Sequence, residues 1–442
     1  MFGFYFSYLI SIYGTAVGWF KPFNGVMVYW FLAILRPERL WFWSFQGGHS
    51  LSQLVAISTL IGWVLSGDVL ELRRLASFKW PIIGYVIFLL VGVLSWLFWA
   101  ISATTAWGEL DILLKTALMG LVTLTVIRDE KQVKIFALVI TGSLSYVAWV
   151  MNVAWTFDGV NRMQFGLHGD NNNTALVMVV GVPMAFFAGI LTKNIILKGV
   201  WFLAAILMTH AVLFSFSRGG MVGLGIVVVI IFTVAVFLLP RKGLTVALTV
   251  ILLLLSFRLA GNEVRQRFST IFASDDGSRE SSAQSRLGLW AAAWENMKKR
   301  PMGVGPECFP LIIDQYGFKK GKLVHSVYLQ IGADYGFIGL FGFLLFYFGS
   351  FIRLFGLTLN RTAKVMVWPQ YFGIMTCTGL FGYLTCATFL SAGRIEVGFI
   401  VALLGLCTTR FVVERREQYT MKPLPELEQV PEPGTEYDVA LA

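Results

Sequence analysis

The sequence predicts an all-α, polytopic integral membrane protein with about twelve transmembrane helices and one large helical loop. Two observations support this prediction. Of the 442 residues, 57% are hydrophobic and only 14% are charged, and the chain has 15 Trp and 38 Phe, which is more apolar surface than a soluble core can bury. The apolar runs are interrupted once by a long polar segment, residues 261–324, which ends just before His325.

A helix needs about 20 apolar residues to cross a bilayer. The stretches that meet or approach this length are 2–20, 23–36, 51–67, 81–102, 107–127, 133–155, 172–193, 196–215, 219–239, 243–260, 325–350, 366–390 and 394–411. Segment 23–36 is short enough to be a hairpin or partial span, so the parity of the spans stays open. The first stretch is expected to be retained, because no small-residue cleavage site follows it.

Basic residues in short turns set the expected orientation. They form clusters at Arg73, Arg74 and Lys79; Arg128, Lys131 and Lys134; Lys193 and Lys198; Arg241 and Lys242; Arg353, Arg361 and Lys364; and Arg410, Arg415 and Arg416. All fall on one side if the helices alternate, which predicts that this side is cytoplasmic and that the polar segment 261–324 lies outside the cytoplasm.

This organisation divides the chain into four parts. They are N-terminal transmembrane helices (1–260), an external loop with amphipathic helices (261–324), C-terminal transmembrane helices (325–411) and a cytoplasmic disordered tail (412–442).

Several classes of chemistry are disfavoured by composition. Three of the four cysteines lie in apolar runs and Cys308 lies alone in the polar segment, so no disulfide pair or thiolate metal site is evident. The four histidines are far apart and lack acids at ligand spacing, which favours a mechanism without a metal or other cofactor. The net charge of +10 is scattered over short turns, where cytoplasmic retention explains it better than nucleic-acid binding.

Arg218 is the first candidate site residue. It lies in SFSRGG, Ser215 to Gly220, at the outer end of one long apolar helix and the start of the next. An arginine in this position can simply snorkel to the lipid headgroups. The adjacent Gly219 and Gly220 allow close backbone approach, which favours a ligand-lined site instead.

Arg286 is the second candidate. It lies near the start of a predicted amphipathic helix, Ser285 to Arg300, which Pro301 ends. The predicted aromatic face of this helix, expected to lie against the membrane surface, comprises Leu287, Trp290, Ala291, Trp294 and Met297. Free backbone N–H groups at a helix start would add to the guanidinium field and favour a diphosphate, although Arg286 can also be a solvated surface residue.

His325 is the third candidate, at the outer boundary of the helix that begins HSVYLQIGADYGFIGL. A histidine exchanges protons readily near neutral pH, so it can act as a general base. Taken alone, a single boundary histidine is more often an interfacial residue, and the two arginines expected on the same side favour the catalytic interpretation. The LHGDNNNTAL stretch on this side is predicted to be a turn and helix cap, with a helix starting near Asn172.

These motifs occur in an order that resembles the O-antigen ligase and Wzy-like polymerase superfamily. SFSRGG is followed by SAQSRLGLWAAAW with PMGVGPECF and then by HSVYLQIGADYGFIGL. The resemblance covers roughly residues 160–350, and the stretch PFNGVMVYWFLAILRPERL also resembles ligases associated with exosortase systems. It implies a bacterial inner-membrane glycosyltransferase with a glycosyltransferase-C-like fold and a periplasmic loop. It also implies that the donor is a glycan linked to undecaprenyl diphosphate.

The resemblance also implies roles for individual residues. Arg218 and Arg286 match the family's arginines that hold the lipid diphosphate, and His325 matches its loop-end histidine, a general base or acceptor-positioning group. The first interpretation is an O-antigen ligase whose acceptor is the lipid A core. A polymerase and a protein O-oligosaccharyltransferase stay open as alternatives. A flippase is disfavoured because the notable ionisable residues cluster at one face rather than near the bilayer midplane.

Overall fold

The computed structural model of the protein describes residues 2–45, 51–159, 170–239, 242–259, 277–359, 368–390 and 396–421. In these ranges the regular elements are helices, without a strand. The first are α1 (Phe2–Phe20), α2 (Pro22–Leu35), α3 (Pro37–Leu40), α4 (Leu51–Leu65), α5 (Lys79–Phe98), α6 (Ala103–Val126), α7 (Glu130–Thr156) and α8 (Asn171–Leu191). They continue with α9 (Ile195–Phe214), α10 (Arg218–Phe237), α11 (Lys242–Leu259), α12 (Gly277–Lys299), α13 (Phe309–Ile312), α14 (Val327–Leu359), α15 (Trp368–Ala387) and α16 (Glu396–Met421). Short 3₁₀ helices are Phe42–Ser44, Asp68–Phe78 and Ile313–Tyr316.

The all-α polytopic fold predicted from the sequence is confirmed. Every apolar stretch predicted to be helical is a helix here, with ends that differ by a few residues except at the longer α14 and α16. Within the described ranges, seven helices are long and apolar enough to cross a membrane, and two shorter apolar helices accompany them. A total of about twelve spans stays a prediction.

Polar side chains fix where many helices begin. Ser102, Asp129, Asp170, Asn194 and Ser217 each precede a helix and accept a hydrogen bond from a backbone N–H of its first turn. These caps satisfy backbone donors that have no partner inside the helix. The predicted cap before the helix near Asn172 is therefore confirmed, with Asp170 as the capping residue.

The C-terminal tail differs from the prediction in its first part. The disordered tail was expected from residue 412, but α16 continues to Met421. The physical reason is that the sequence after Val412 is rich in Glu, Arg and Gln, which favour helix, and the first residue that cannot extend it is Pro423. The remaining part, 422–442, lies outside the described residues.

Helix α8 is the centre of the bundle. Its residues from Thr174 to Phe187 are all buried, and it packs against α7, α9, α10 and α15. The approach of α10 is close, because a Cβ at Gly220 would lie 2.8 Å from that of Ala175. This packing brings the start of α10 beside the start of α8.

A second apolar cluster lies beyond this end of the bundle. It joins α12 and the segment after it to the start of α6 and to α14, through buried side chains such as Leu289, Ala293, Phe309 and Ala106. Helix α14 is kinked at Gly336, which has φ 71° and lets the backbone of Pro301 approach closely. The loop segment thus packs directly on the helices that follow it.

Candidate functional site

Arg218 is the first residue of α10. Ser217 caps the helix and accepts a hydrogen bond of 3.1 Å from the N–H of Gly220. The side chain of Arg218 is exposed, while Gly219 packs against Phe389 and Gly220 against α8. The guanidinium therefore projects from the positive end of a helix dipole, an arrangement that favours an anion.

Arg286 does not lie near the start of its helix, and this part of the sequence prediction is wrong. Helix α12 begins at Gly277, more than two turns before Ser285, because the intervening residues include helix-favouring Arg, Glu, Ala and Gln. The dipole acts mainly within the first turn, so α12 adds little to the field at Arg286. Helix α10, which begins with Arg218, does place its positive end at the site.

The membrane-facing side of α12 stays a prediction, with one residue of the predicted face, Met297, packed inside instead. Leu287 and Trp294 are exposed, at 61% and 49%, whereas Met297 is buried. The buried side of α12 comprises Leu289, Ala292, Ala293, Asn296 and Met297. Asn296 donates a hydrogen bond of 3.2 Å to the carbonyl of Ala333, which ties this side to α14. Packing against α14 therefore buries Met297 and leaves Leu287 and Trp294 exposed.

The two arginines are close enough to act on each other. Burial lowers the pKa of Arg286, and the positive charge of Arg218 lowers it further. Lys322 adds a third cation, since its Nζ lies 3.0 Å from the Oγ of Ser285, the neighbour of Arg286. Such mutual repulsion is relieved when a multiply charged anion lies between the cations, and guanidinium groups match phosphate oxygens in pairs.

His325 occupies a defined place two residues before α14. Its backbone lies in the left-handed region, with φ 56°, which is uncommon for a residue with a side chain. Gln330 accepts a hydrogen bond of 3.3 Å from the N–H of Val324 and donates one of 2.7 Å to Asp334. Asp334 in turn accepts a bond of 2.8 Å from the N–H of Phe309. These bonds hold the strained turn at His325 against the loop and α14.

The charges around His325 favour its neutral form. Burial lowers its pKa from the ordinary 6.5, Arg286 lowers it further, Asp170 raises it, and Lys322 lowers it. A neutral imidazole has a nitrogen that can accept a proton at neutral pH. Asp170 keeps its capping bond of 2.7 Å to the N–H of Asn173 while it acts on His325.

The structure thus brings together all three site residues predicted from the sequence. Arg286 interacts electrostatically with both Arg218 and His325, which places helices α10 and α12 and the start of α14 around one site. Sequence reasoning missed two further features. Asp170 was assigned only a cap, although it also acts on His325. Gln330 and Asp334 are polar residues one turn apart in an apolar helix, and this spacing could have indicated the hydrogen bonds that hold the turn at His325.

Metal ligands are not gathered in this part of the molecule. Within the described ranges, no group of three or more His, Cys, Asp and Glu residues is arranged to hold a metal ion. The groups that can bind a phosphate here are cationic side chains. Independence from metal remains a prediction for the activity.

These features define a polytopic α-helical membrane protein with a cationic site at one end of its bundle. Comparison with known families adds the particular class. Residues 203–344 match the O-antigen ligase family, and Arg218, Arg286 and His325 all lie within the match. The chain therefore carries an O-antigen ligase domain, which confirms the resemblance to the O-antigen ligase and Wzy-like superfamily.

Two further comparisons complete this result. Residues 1–174, which include helices α1 to α7 and Asp170, match a family of unknown function (DUF5935). Comparison with curated proteins gives no match. Proteins with the O-antigen ligase domain are glycosyltransferase-like enzymes of lipopolysaccharide biosynthesis that are embedded in the membrane.

Proposed function

We propose that the protein is an O-antigen ligase of the bacterial inner membrane, with its site facing the periplasm. It transfers a preassembled polysaccharide from undecaprenyl diphosphate to the core oligosaccharide of lipid A. The observation that carries this proposal is the meeting of Arg218, Arg286 and His325 within the O-antigen ligase domain. A cationic pair beside a neutral base suits a donor with a diphosphate leaving group.

The reaction is a single displacement at the anomeric carbon of the donor glycan. An acceptor hydroxyl forms the new C–O bond as the bond from that carbon to the phosphate oxygen breaks. Undecaprenyl diphosphate leaves with the bonding electrons, and Arg218 and Arg286 stabilise the negative charge that develops on it. The hydroxyl proton passes to His325. One displacement inverts the anomeric configuration.

Purified protein in lipid nanodiscs tests this function. It is given the undecaprenyl-diphosphate-linked glycan, EDTA and one of three acceptors: lipopolysaccharide that lacks O-antigen, a second lipid-linked glycan, or a peptide with Ser, Thr and Tyr. We expect transfer to the core oligosaccharide, with an inverted linkage by NMR. Transfer only to the second glycan would establish a polymerase, and transfer only to the peptide a protein glycosyltransferase.

The chelator arm tests the metal-independent mechanism separately. Activity in EDTA is expected to equal activity without it, because guanidinium groups neutralise the diphosphate. Activity that disappears in EDTA and returns with magnesium or manganese would contradict the mechanism while leaving the reaction itself established.

A further inference from the structure

Trp290 lies one helical turn from Arg286 and packs against the second apolar cluster. It follows Arg286 by four residues in α12, so the two side chains lie on the same face one turn apart. Its ring centroid is 6.5 Å from that of Phe389. Phe389 packs on the start of α10, since a Cβ at Gly219 would lie 3.0 Å from the Cβ of Phe389. Phe389 therefore lies between Trp290 and the start of the helix that begins with Arg218.

The indole N–H of Trp290 is the unusual feature of this bridge. Its Nε1 is shielded from solvent and has no hydrogen-bond partner among the described residues. Two buried tryptophans elsewhere are paired: Trp30 and Trp63 each donate to a threonine hydroxyl at 2.8 Å. A buried donor without an acceptor is costly, and a ligand that supplies an acceptor would offset that cost.

We propose that the indole N–H of Trp290 donates a hydrogen bond to a phosphate oxygen of the lipid diphosphate. This inference rests on the proposed function. An indole N–H can only donate and a phosphate oxygen accepts, so the two are complementary. A sugar hydroxyl is a weaker partner, because it lacks the charge that strengthens the bond. Trp290 lies beside Arg286 and near the start of α10, and this position favours contact with the phosphate over contact with the sugar.

Removal of the N–H alone tests this assignment. Trp290→Phe keeps an aromatic ring against Phe389 and deletes the donor. The matched control is Trp294→Phe in the same helix, because Trp294 is 49% exposed and its ring packs on Phe337. The probe is undecaprenyl diphosphate without a glycan, and its dissociation constant is measured by calorimetry in nanodiscs. If Trp290→Phe does not purify as a folded protein, Trp290→Met, which also lacks a donor, replaces it.

We expect Trp290→Phe to bind this probe roughly 10- to 100-fold more weakly, with binding by Trp294→Phe unchanged. Equal binding by Trp290→Phe and the wild type would overturn the inference. It would also be overturned if only the glycan-bearing donor bound more weakly, since Trp290 would then contact sugar. If the wild type did not bind undecaprenyl diphosphate at all, the proposed function itself would fail. The two failures are therefore distinguishable.

Discussion

At the scale of single residues, the site is organised by unequal charges around His325. Arg286 and Lys322 favour the neutral imidazole, and Asp170 opposes them. Burial acts in the same direction as the two cations and is the largest influence. A bound diphosphate is negative and will itself favour the imidazolium. Burial and the two cations act against this effect, so they help to keep His325 neutral when the donor is bound.

The charge balance predicts opposite pH shifts for two neighbours of His325. The reacting form is the neutral imidazole, so kcat/KM falls as the pH drops through the pKa of His325 in the free enzyme, which lies below 6.5. Asp170→Asn removes a negative charge and is expected to move this acid limb to lower pH. Lys322→Gln removes a positive charge and is expected to move it to higher pH. Each shift is roughly 0.3–1 pH unit.

The Asp170 variant controls for structural damage, because Asn caps a helix about as well as Asp. Helix α8 therefore keeps its start in the variant. The measurement is kcat/KM for the lipid-linked glycan from pH 4.5 to 8. Two shifts in the same direction, or none, would show that His325 is not the group that titrates.

Substitution by lysine tests the two arginines. Lysine keeps the charge, but its ammonium cannot present the two parallel N–H donors that a planar guanidinium offers to a phosphate. Arg218→Lys and Arg286→Lys are each expected to lose about 1.5–3 kcal/mol of transition-state stabilisation, or roughly 10- to 100-fold in kcat/KM. Wild-type rates in both variants would show instead that the arginines only snorkel or support the fold.

At the scale of elements, the kink in α14 fixes the loop that precedes His325. Gly336 adopts φ 71°, and a Cβ there would approach the carbonyl oxygen of Pro301 to 2.2 Å. The carbonyl of Asp334 accepts bonds of 3.0 and 2.9 Å from the N–H groups of Val304 and Gly305. The kink therefore joins the loop and α14 into one unit.

A pair of glycine substitutions in α14 tests this role. Gly336→Ala adds a Cβ at a left-handed position, which costs about 1–2 kcal/mol before the clash with Pro301 is counted. Gly356→Ala adds a Cβ in the same helix where no other atom lies within 4 Å. This control substitution is expected to leave stability unchanged or to raise it slightly. We expect a lower apparent Tm only for Gly336→Ala. Equal Tm values for the two variants would contradict the proposed role of the kink.

The helices could be predicted from sequence, while the packing of α12 could not. Long apolar runs define spans because a bilayer requires backbone hydrogen bonds inside each segment. Arg218, Arg286 and His325 could be named as candidates because each lies in a distinct motif on the predicted outer side of the apolar runs. The buried face of α12 depends on contacts with α14, which are distant in sequence. The same holds for the action of Asp170 on His325.

At the scale of the whole molecule, the cationic site lies at one end of the bundle. Hydrogen bonds connect helix ends there: Asn171 donates to the carbonyl of Ser215 at 2.7 Å, and Ile101 to that of Val304 at 3.0 Å. The proposed function places this end in the periplasm, where a preassembled glycan and the lipid A core meet. The turns rich in Lys and Arg then face the cytoplasm.

Cysteine labelling tests this orientation. All four native cysteines are buried, so the background is low. Lys319→Cys introduces an exposed thiol in the loop after α12, and the matched Lys193→Cys introduces one in the turn between α8 and α9. A membrane-impermeant maleimide applied to spheroplasts is expected to label only Lys319→Cys. Labelling of Lys193→Cys alone would reverse the orientation.

In the proposed reaction, His325 performs the proton transfer while the cations hold the donor. The most direct measurement compares donor affinity and single-turnover rate in one purified variant, His325→Ala. General bases contribute roughly 10²- to 10⁴-fold to rates. We expect a loss of this size in turnover, with affinity for undecaprenyl diphosphate close to that of the wild type. Loss of donor binding, with normal reaction of donor that is already bound, would contradict it.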